Sequence, residues 1–277
     1  PSLDALAAAP KQAHSCPPRV VEWLMGGSIA VFLLVLLLFC GGVDGLVPSR
    51  PAKSYFARSV ATPQMQMPQP WDAPRALRTA LFFNSPAQVL SRMGLGLSKP
   101  TRPDGLVWSA ERPDLATWGP LDDVVMGGAS TSSFTVSASC GIFSGTVTTA
   151  NNGGFAGCRT LPFAPALRLT SFRGLCLRVR GDGNRYKLIV RDDYEWNGVA
   201  WAFSFDTRDA EWVSVDAPFT EFVPTRFARK IKGVNLKRDS VTTLQLTLSK
   251  FEYDGALNPA FRTGAFRLEI EEVRAFA

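Results

Sequence analysis

Two acidic clusters mark where this chain could carry out acid–base or cation chemistry: Asp122 with Asp123, and Asp192 and Asp193 with Glu195. Neither has the ligand spacing of an EF-hand loop, so turn caps and solvated carboxylates stand beside a strand-end calcium site as readings. Asp122 and Asp123 precede Gly127 and Gly128 in WGPLDDVVMGGAS, Trp118 to Ser130, where the glycines allow backbone conformations that a Cβ resists. No lysine and no helical pattern follow as a phosphate cradle requires. The stretch therefore reads as the structural opening of a folded domain, with these four residues as a candidate docking edge. Gly94-x-Gly96 lacks a third glycine and a preceding strand, so no dinucleotide site is expected.

Other residue types exclude more chemistry than they suggest. The single histidine, His14, lies far upstream, so no Ser-His-Asp or Cys-His apparatus and no histidine-based metal site is expected in the region that follows. The five cysteines, Cys16, Cys40, Cys140, Cys158 and Cys176, form no CxxC pair and read as reduced thiols. No cofactor and no small-molecule substrate is expected.

Binding surfaces are better represented. Tyr194, Trp196, Trp201, Phe203 and Phe205 concentrate aromatic area; alternation assigns the last three to a core and leaves Tyr194 and Trp196 as exposed candidates for a protein, a stacked base or a sugar. The run RFARKIKGVNLKR offers Arg226, Arg229, Lys230 and Lys232, then Lys237 and Arg238, to an anionic lipid or RNA, with a solvated charged face as the plain alternative. The net charge of +6 points weakly the same way.

The elements that must position these residues change character along the chain. Residues 1–21 read as a tail. At 22–46 an uncharged run between Glu22 and Asp44, with Trp23, Phe32, Leu36 and Phe39, is long enough for a single membrane-spanning helix. A cleavable signal peptide is the rival, but no small-residue cleavage site follows. Arg50, Lys53 and Arg58 outnumber Lys11 and Arg19, which places the larger region on the cytoplasm-like side. A Pro-rich linker occupies 47–70. Residues 71–105 hold short helices with an apolar face of Leu77, Ala80, Leu81 and Val89, lying on the domain or, through Arg75, Arg78 and Arg92, on a membrane surface.

From 106 to 277 the period becomes two. Leu175, Leu177 and Val179, then Gly181-Asp182-Gly183-Asn184, then Tyr186, Leu188 and Val190, predict a hairpin with one apolar face. At this turn Arg180-Gly181-Asp182 is read as turn chemistry and not as an adhesion tripeptide. Many short strands without a long helical pattern predict a mainly β domain, a β-sandwich or jelly roll.

DDVVMGGAS, GIFSGTVTTANNGGF with Arg159 close behind, LRVRGDGNRYKLIVR, PFTEFVP and GAFRLEIEEVRAF, in this order, resemble the complex I intermediate-associated protein 30 family over Leu106 to Phe276. The resemblance implies a galactose-binding-domain-like sandwich and no established catalytic site. WGPLDDVVMGG, TTANNGGF, YKLIVRDDYEW and LSKFEYDGALNPAF are most similar to a plastid branch linked to photosystem II biogenesis. Residues 1–105 are expected to hold no counterpart of that branch's nucleotide-binding domain. The implied function is a non-enzymatic, membrane-anchored assembly factor that binds subunits of a photosynthetic complex from the stromal side of the chloroplast thylakoid. A permanent accessory subunit, an RNA-linked module, a carbohydrate-binding module and a matrix-side mitochondrial protein are the alternatives.

Overall fold

The computed structural model describes residues 72–84 and 104–277. These form one α-helix, α1 (Ala73–Phe83), and two stacked antiparallel sheets. The first sheet runs β3 (Thr131–Val136), β4 (Gly141–Val147), β13 (Gly264–Phe276), β6 (Gly174–Arg180) and β9 (Trp212–Pro218), with β1 (Leu106–Ser109) also paired to β13. The second runs β11 (Arg229–Lys230), β10 (Val223–Arg226), β8 (Ala200–Asp206), β7 (Arg185–Arg191), β12 (Thr243–Ser249), β5 (Phe155–Thr160) and β2 (Trp118–Pro120). The described region is thus a mainly β, two-sheet sandwich.

Period-two alternation decides which side chains meet between the sheets. Leu175, Leu177 and Val179 of β6 join Tyr186, Leu188 and Val190 of β7 in one core, with Leu244, Leu246 and Leu248 of β12 and Leu268 and Ile270 of β13. All are fully buried. Each such side chain contributes about 1.5–3 kcal/mol relative to exposure.

The expected hairpin at Gly181-Asp182-Gly183-Asn184 is corrected. β6 pairs with β9 and β13 while β7 pairs with β8 and β12, so the turn carries the chain from one sheet to the other. Alternation reports which side of a strand faces the core and is blind to the neighbour alongside. Asp182 holds the arch: its carboxylate accepts hydrogen bonds from the Tyr186 hydroxyl (3.0 Å) and from the backbone N–H of Asn184 (3.1 Å) and Arg267 (2.9 Å). The carboxylate that an adhesion tripeptide would present is spent on the fold.

α1 lies against the sandwich. Asp72 caps it by accepting from the Arg75 backbone N–H at 2.9 Å, and Pro74 sits in its first turn. The expected apolar face is also corrected, because Ala76, Thr79 and Phe83 are buried while Leu77 and Leu81 stay exposed, Leu81 at 59%. The aromatic end of the helix and one arginine set its rotation. Phe83 packs edge-on to Trp196 (5.5 Å between ring centroids), and Arg75 Nη2 donates to the Ser130 carbonyl at 2.6 Å. Phe82 lies so near Gly119 that a Cβ there would sit 2.1 Å from the ring.

The expected membrane helix at 22–46, its residues Trp23, Phe32, Leu36 and Phe39, the linker at 47–70 and Val89 lie outside the described residues. No described helix is long and apolar enough to cross a membrane.

Candidate functional site

The Asp122-to-Gly128 motif folds around its own carboxylates. Asp123 is buried and accepts from Ser130 N–H (3.0 Å), Ser130 Oγ (2.8 Å), Gly154 N–H (3.0 Å) and Phe155 N–H (3.3 Å). Asp122 is likewise buried, accepting from Ser132 N–H at 2.9 Å and from the Ser132 hydroxyl. Burial raises the Asp122 carboxyl against the opposing pull of the Ser132 and Gly157 hydrogen bonds. The glycines are explained by the same carboxylate. A Cβ at Gly128 would stand 2.2 Å from Asp123 Cγ, and one at Gly153 would stand 2.4 Å from its Oδ2. Gly127 takes φ +86°, and its carbonyl accepts from Asn151 Nδ2 at 2.9 Å, so the MGG and NNGG loops clasp each other. The buried carboxylates leave the backbone rim of this clasp, next to α1, as the docking candidate.

Tyr194 and Trp196 lie beside a second feature, on the face of the second sheet that points away from the first. Arg159 of β5 and Arg191 of β7 flank β12, where Gln245 is in register with Arg159 and Thr243 with Arg191. Arg159 Nε donates to Gln245 Oε1 at 2.9 Å, and its guanidinium lies over the Trp196 ring at 4.8 Å. Arg191 Nη1 donates to the Gly198 carbonyl at 2.8 Å. The Tyr194 hydroxyl donates to the Phe163 carbonyl at 3.0 Å. Trp196 is therefore stacked and packed by Phe83 and not freely presented. Arg159, Arg191, Tyr194 and Trp196 line a cavity of about 20 Å³ with Phe83, Asp193 and Thr243. Burial, with Arg191 nearby, pushes the Arg159 guanidinium well below its ordinary range. Because arginine keeps its proton in proteins, that pressure is carried as a cost of burying an unpaired charge.

In their strands Arg159 and Arg191 alternate with the core-facing Cys158 and Val190. What the sequence hid was that β12 would bring strands β5 and β7 to either side of one strand. Among the other candidates, Asp192 accepts from Lys237 N–H at 2.9 Å and Asp193 from Glu195 N–H at 3.0 Å. No metal-competent group of three ligands occurs among the described residues.

Arg226, Arg229, Lys230 and Lys232 are exposed on and after the β10–β11 hairpin, whose tip residues Phe227 and Ala228 take φ of 51° and 59°. Phe227, at 71% exposure, projects from the tip. Lys230 is held by Asp254, which accepts from its backbone N–H at 2.9 Å. A wider groove of about 800 Å³, lined by Trp201, Phe219, Phe222, Leu236 and Arg238 among others, was not anticipated from sequence, because its residues come from separate turns.

Among solved structures, the chain is similar to a family 11 carbohydrate-binding module from Clostridium thermocellum in complex with a beta-1,3-1,4-mixed-linked tetrasaccharide. That pair shares 15% identity and a TM-score of 0.42 over 58% of this chain and 88% of the module. The family 11 module of the cellulosomal cellulase Lic26A-Cel5E of the same organism gives 14% identity and a TM-score of 0.43 over 66% and 96%. An agarase, AgWH50C, gives 7% and 0.37 over 57% of this chain and 25% of the agarase. At such scores the likeness says nothing about a ligand. No curated protein is matched, and nothing in these comparisons singles out the plastid branch. The sequence model of the complex I intermediate-associated protein 30 family matches residues 108–270, more than half of the chain and the span from β1 into β13. The chain belongs to the complex I intermediate-associated protein 30 family.

Proposed function

We propose that this chain is a non-enzymatic protein-binding factor acting on assembly intermediates of a multisubunit membrane complex. The family match across the sandwich carries the reading, since the family is described by its association with complex I intermediates. The cavity beside Trp196, about 20 Å³, is far below the roughly 300 Å³ at which small-molecule sites begin, which favours a protein partner over a sugar there. The wording of LSKFEYDGALNPAF and YKLIVRDDYEW supports the finer version: a chloroplast thylakoid factor, anchored through 22–46 and facing the stroma, for a photosystem. The alternatives are the matrix side of the mitochondrial inner membrane and a permanent accessory subunit. Gentle-detergent extraction with native-gel separation and partner identification tests this. The chain should co-migrate with subcomplexes and be depleted from the mature complex; one-to-one presence in the mature, active complex would sink the assembly reading. Photosystem or complex I subunits among the partners decide the organelle.

The basic hairpin favours an additional contact with anionic headgroups, because an aromatic at a strained tip between cations suits a lipid interface. Binding to phosphatidylglycerol vesicles should fall with salt and with Phe227→Asn. Equal binding to neutral vesicles would remove the contact, and RNA recovery lost on charge reversal at Arg226 and Arg229 would favour the RNA reading.

A further inference from the structure

The outer face of the second sheet holds two neighbouring arginines, with the Asp193 carboxylate near Arg191. Arg159 and Arg191 stand on either side of β12, and neither is in an ion pair among the described residues. Arg159 uses only Nε, toward Gln245, and Gln245 Nε2 is itself directed to Thr247 Oγ1 at 3.0 Å. Its two terminal nitrogens carry no hydrogen bond among the described residues. Among the described residues Arg191 Nε is buried without an acceptor, and the Thr243 hydroxyl between the arginines has no partner although Thr243 is 6% exposed.

A sheet does not gain stability from such an arrangement. A buried guanidinium such as that of Arg159, left without an ion-pair contact, is costly, and the half-buried Arg191 of like charge beside it adds repulsion. Arg159, Arg191 and Thr243 all line one small cavity, and donors without acceptors on its walls fit an oxyanion. The cavity, about 20 Å³, admits a single small group. Asp193 and Glu195 line the same cavity, which disfavours a doubly charged phosphate and favours one negative charge. A carboxylate is planar and matches the terminal nitrogens of a guanidinium, with the Trp196 ring behind Arg159 fixing the plane.

We propose that Arg159, Arg191 and Thr243 form a carboxylate-binding site on the outer face of the second sheet. The carboxylate belongs either to a free small acid or to an Asp or Glu side chain of a bound protein. In the second case the site is a hook for the partner proposed above, and that half rests on the protein-binding reading.

Thermal unfolding of the full chain in sodium acetate, against sodium chloride and sodium phosphate at matched ionic strength, tests the site. Acetate should raise Tm saturably and more than either control. Arg191→Met should abolish the acetate response, and in chloride alone its Tm should equal or exceed that of the wild type, because a partly desolvated charge beside the like-charged Arg159 has gone. Should Arg191→Met fail to fold, Thr243→Val, which keeps the shape, should weaken the apparent acetate affinity about tenfold. An acetate effect no larger than that of chloride overturns the site, as does an undiminished response in both variants. A blocked peptide with one Glu that binds more tightly than acetate, and more tightly than its Gln twin, identifies a protein side chain as the source. Equal affinity for acetate and the Glu peptide identifies a free acid. Neither result depends on the native-gel experiment, so the site and the assembly reading fail separately.

Discussion

Replacing Asp123 with alanine should remove the group around which the MGG–NNGG clasp is folded. The carboxylate accepts from Ser130 N–H, Ser130 Oγ, Gly154 N–H and Phe155 N–H, between 2.8 and 3.3 Å. Alanine leaves the Ser130 and Gly154 amides buried without an acceptor, at about 1–3 kcal/mol each, while the more accessible Phe155 amide turns to water. The relief from no longer burying a charge offsets part of this, so a net loss of about 2–5 kcal/mol is expected. Against the roughly 5–15 kcal/mol that holds an ordinary domain together, that is a large share. Urea unfolding of the full chain, followed by tryptophan fluorescence, should show the midpoint falling with the slope unchanged. Hydrogen exchange should locate the damage, with the Ser130 and Gly154 amides losing protection first. Asp123→Asn keeps an acceptor oxygen but turns an NH2 toward donors, so it should fall between the wild type and alanine. A loss below about 1 kcal/mol in the alanine variant, with both amides still protected, would refute the idea that this carboxylate organises the motif.

Four further outcomes follow from the structure. Gly128→Val should destabilise far more than Gly127→Ala, by more than about 3 kcal/mol against about 1–2, because Gly128 faces a pinned carboxylate while Gly127 has open space and pays only for φ +86°; the reverse order in chemical unfolding would show that contact is not what selects glycine. Burial acts to raise the Glu269 carboxyl, but hydrogen bonds from Arg267 and Arg180 win and hold it below its ordinary 4.5. Its contribution is therefore present above that value and lost as pH falls through the folded one, so Glu269→Gln should weaken the protein near neutrality and be indistinguishable from wild type in strong acid. Asp122, raised from 3.8, has the opposite sign, its contribution fading as pH rises through the folded value; Asp122→Asn should flatten that decline, and an unaltered pH profile would count against it. Phe83→Ala should cost about 3–5 kcal/mol and expose Trp196, read as a red-shifted emission difference from the Trp196→Phe background; an unshifted spectrum would mean that α1 does not dock through this ring.

How legible all this was in the sequence depends on what each signal measures. Alternation at Leu175 to Val190 and at Leu244 to Leu248 reported burial directly, and the two-sheet sandwich follows from it. It could not report pairing, which is why Gly181 to Asn184 looked like a hairpin turn and is an arch between sheets. For α1 the leucine stripe misled, because on a short helix two terminal phenylalanines and the Arg75 anchor outweigh Leu77 and Leu81. Asp122 and Asp123 announced themselves by type and spacing, yet only their partners, Ser132 and Gly157 for the first and Ser130, Gly154 and Phe155 for the second, show that their chemistry is internal. Arg159 and Arg191 are thirty-two positions apart in the chain, and their meeting across β12 is a fact of topology that no local pattern carries.

The placement of β13 bears on how the protein is made. It is the last of the strands in chain order, yet it sits in the middle of the first sheet, between β4 and β6 and against β1. Until residues 264–276 leave the ribosome, three earlier strands lack their central neighbour and expose apolar faces such as those of Phe143 and Leu177. Co-translational folding can therefore complete little of this sheet, and the nascent chain is a natural client for a chaperone that holds it until β13 has emerged.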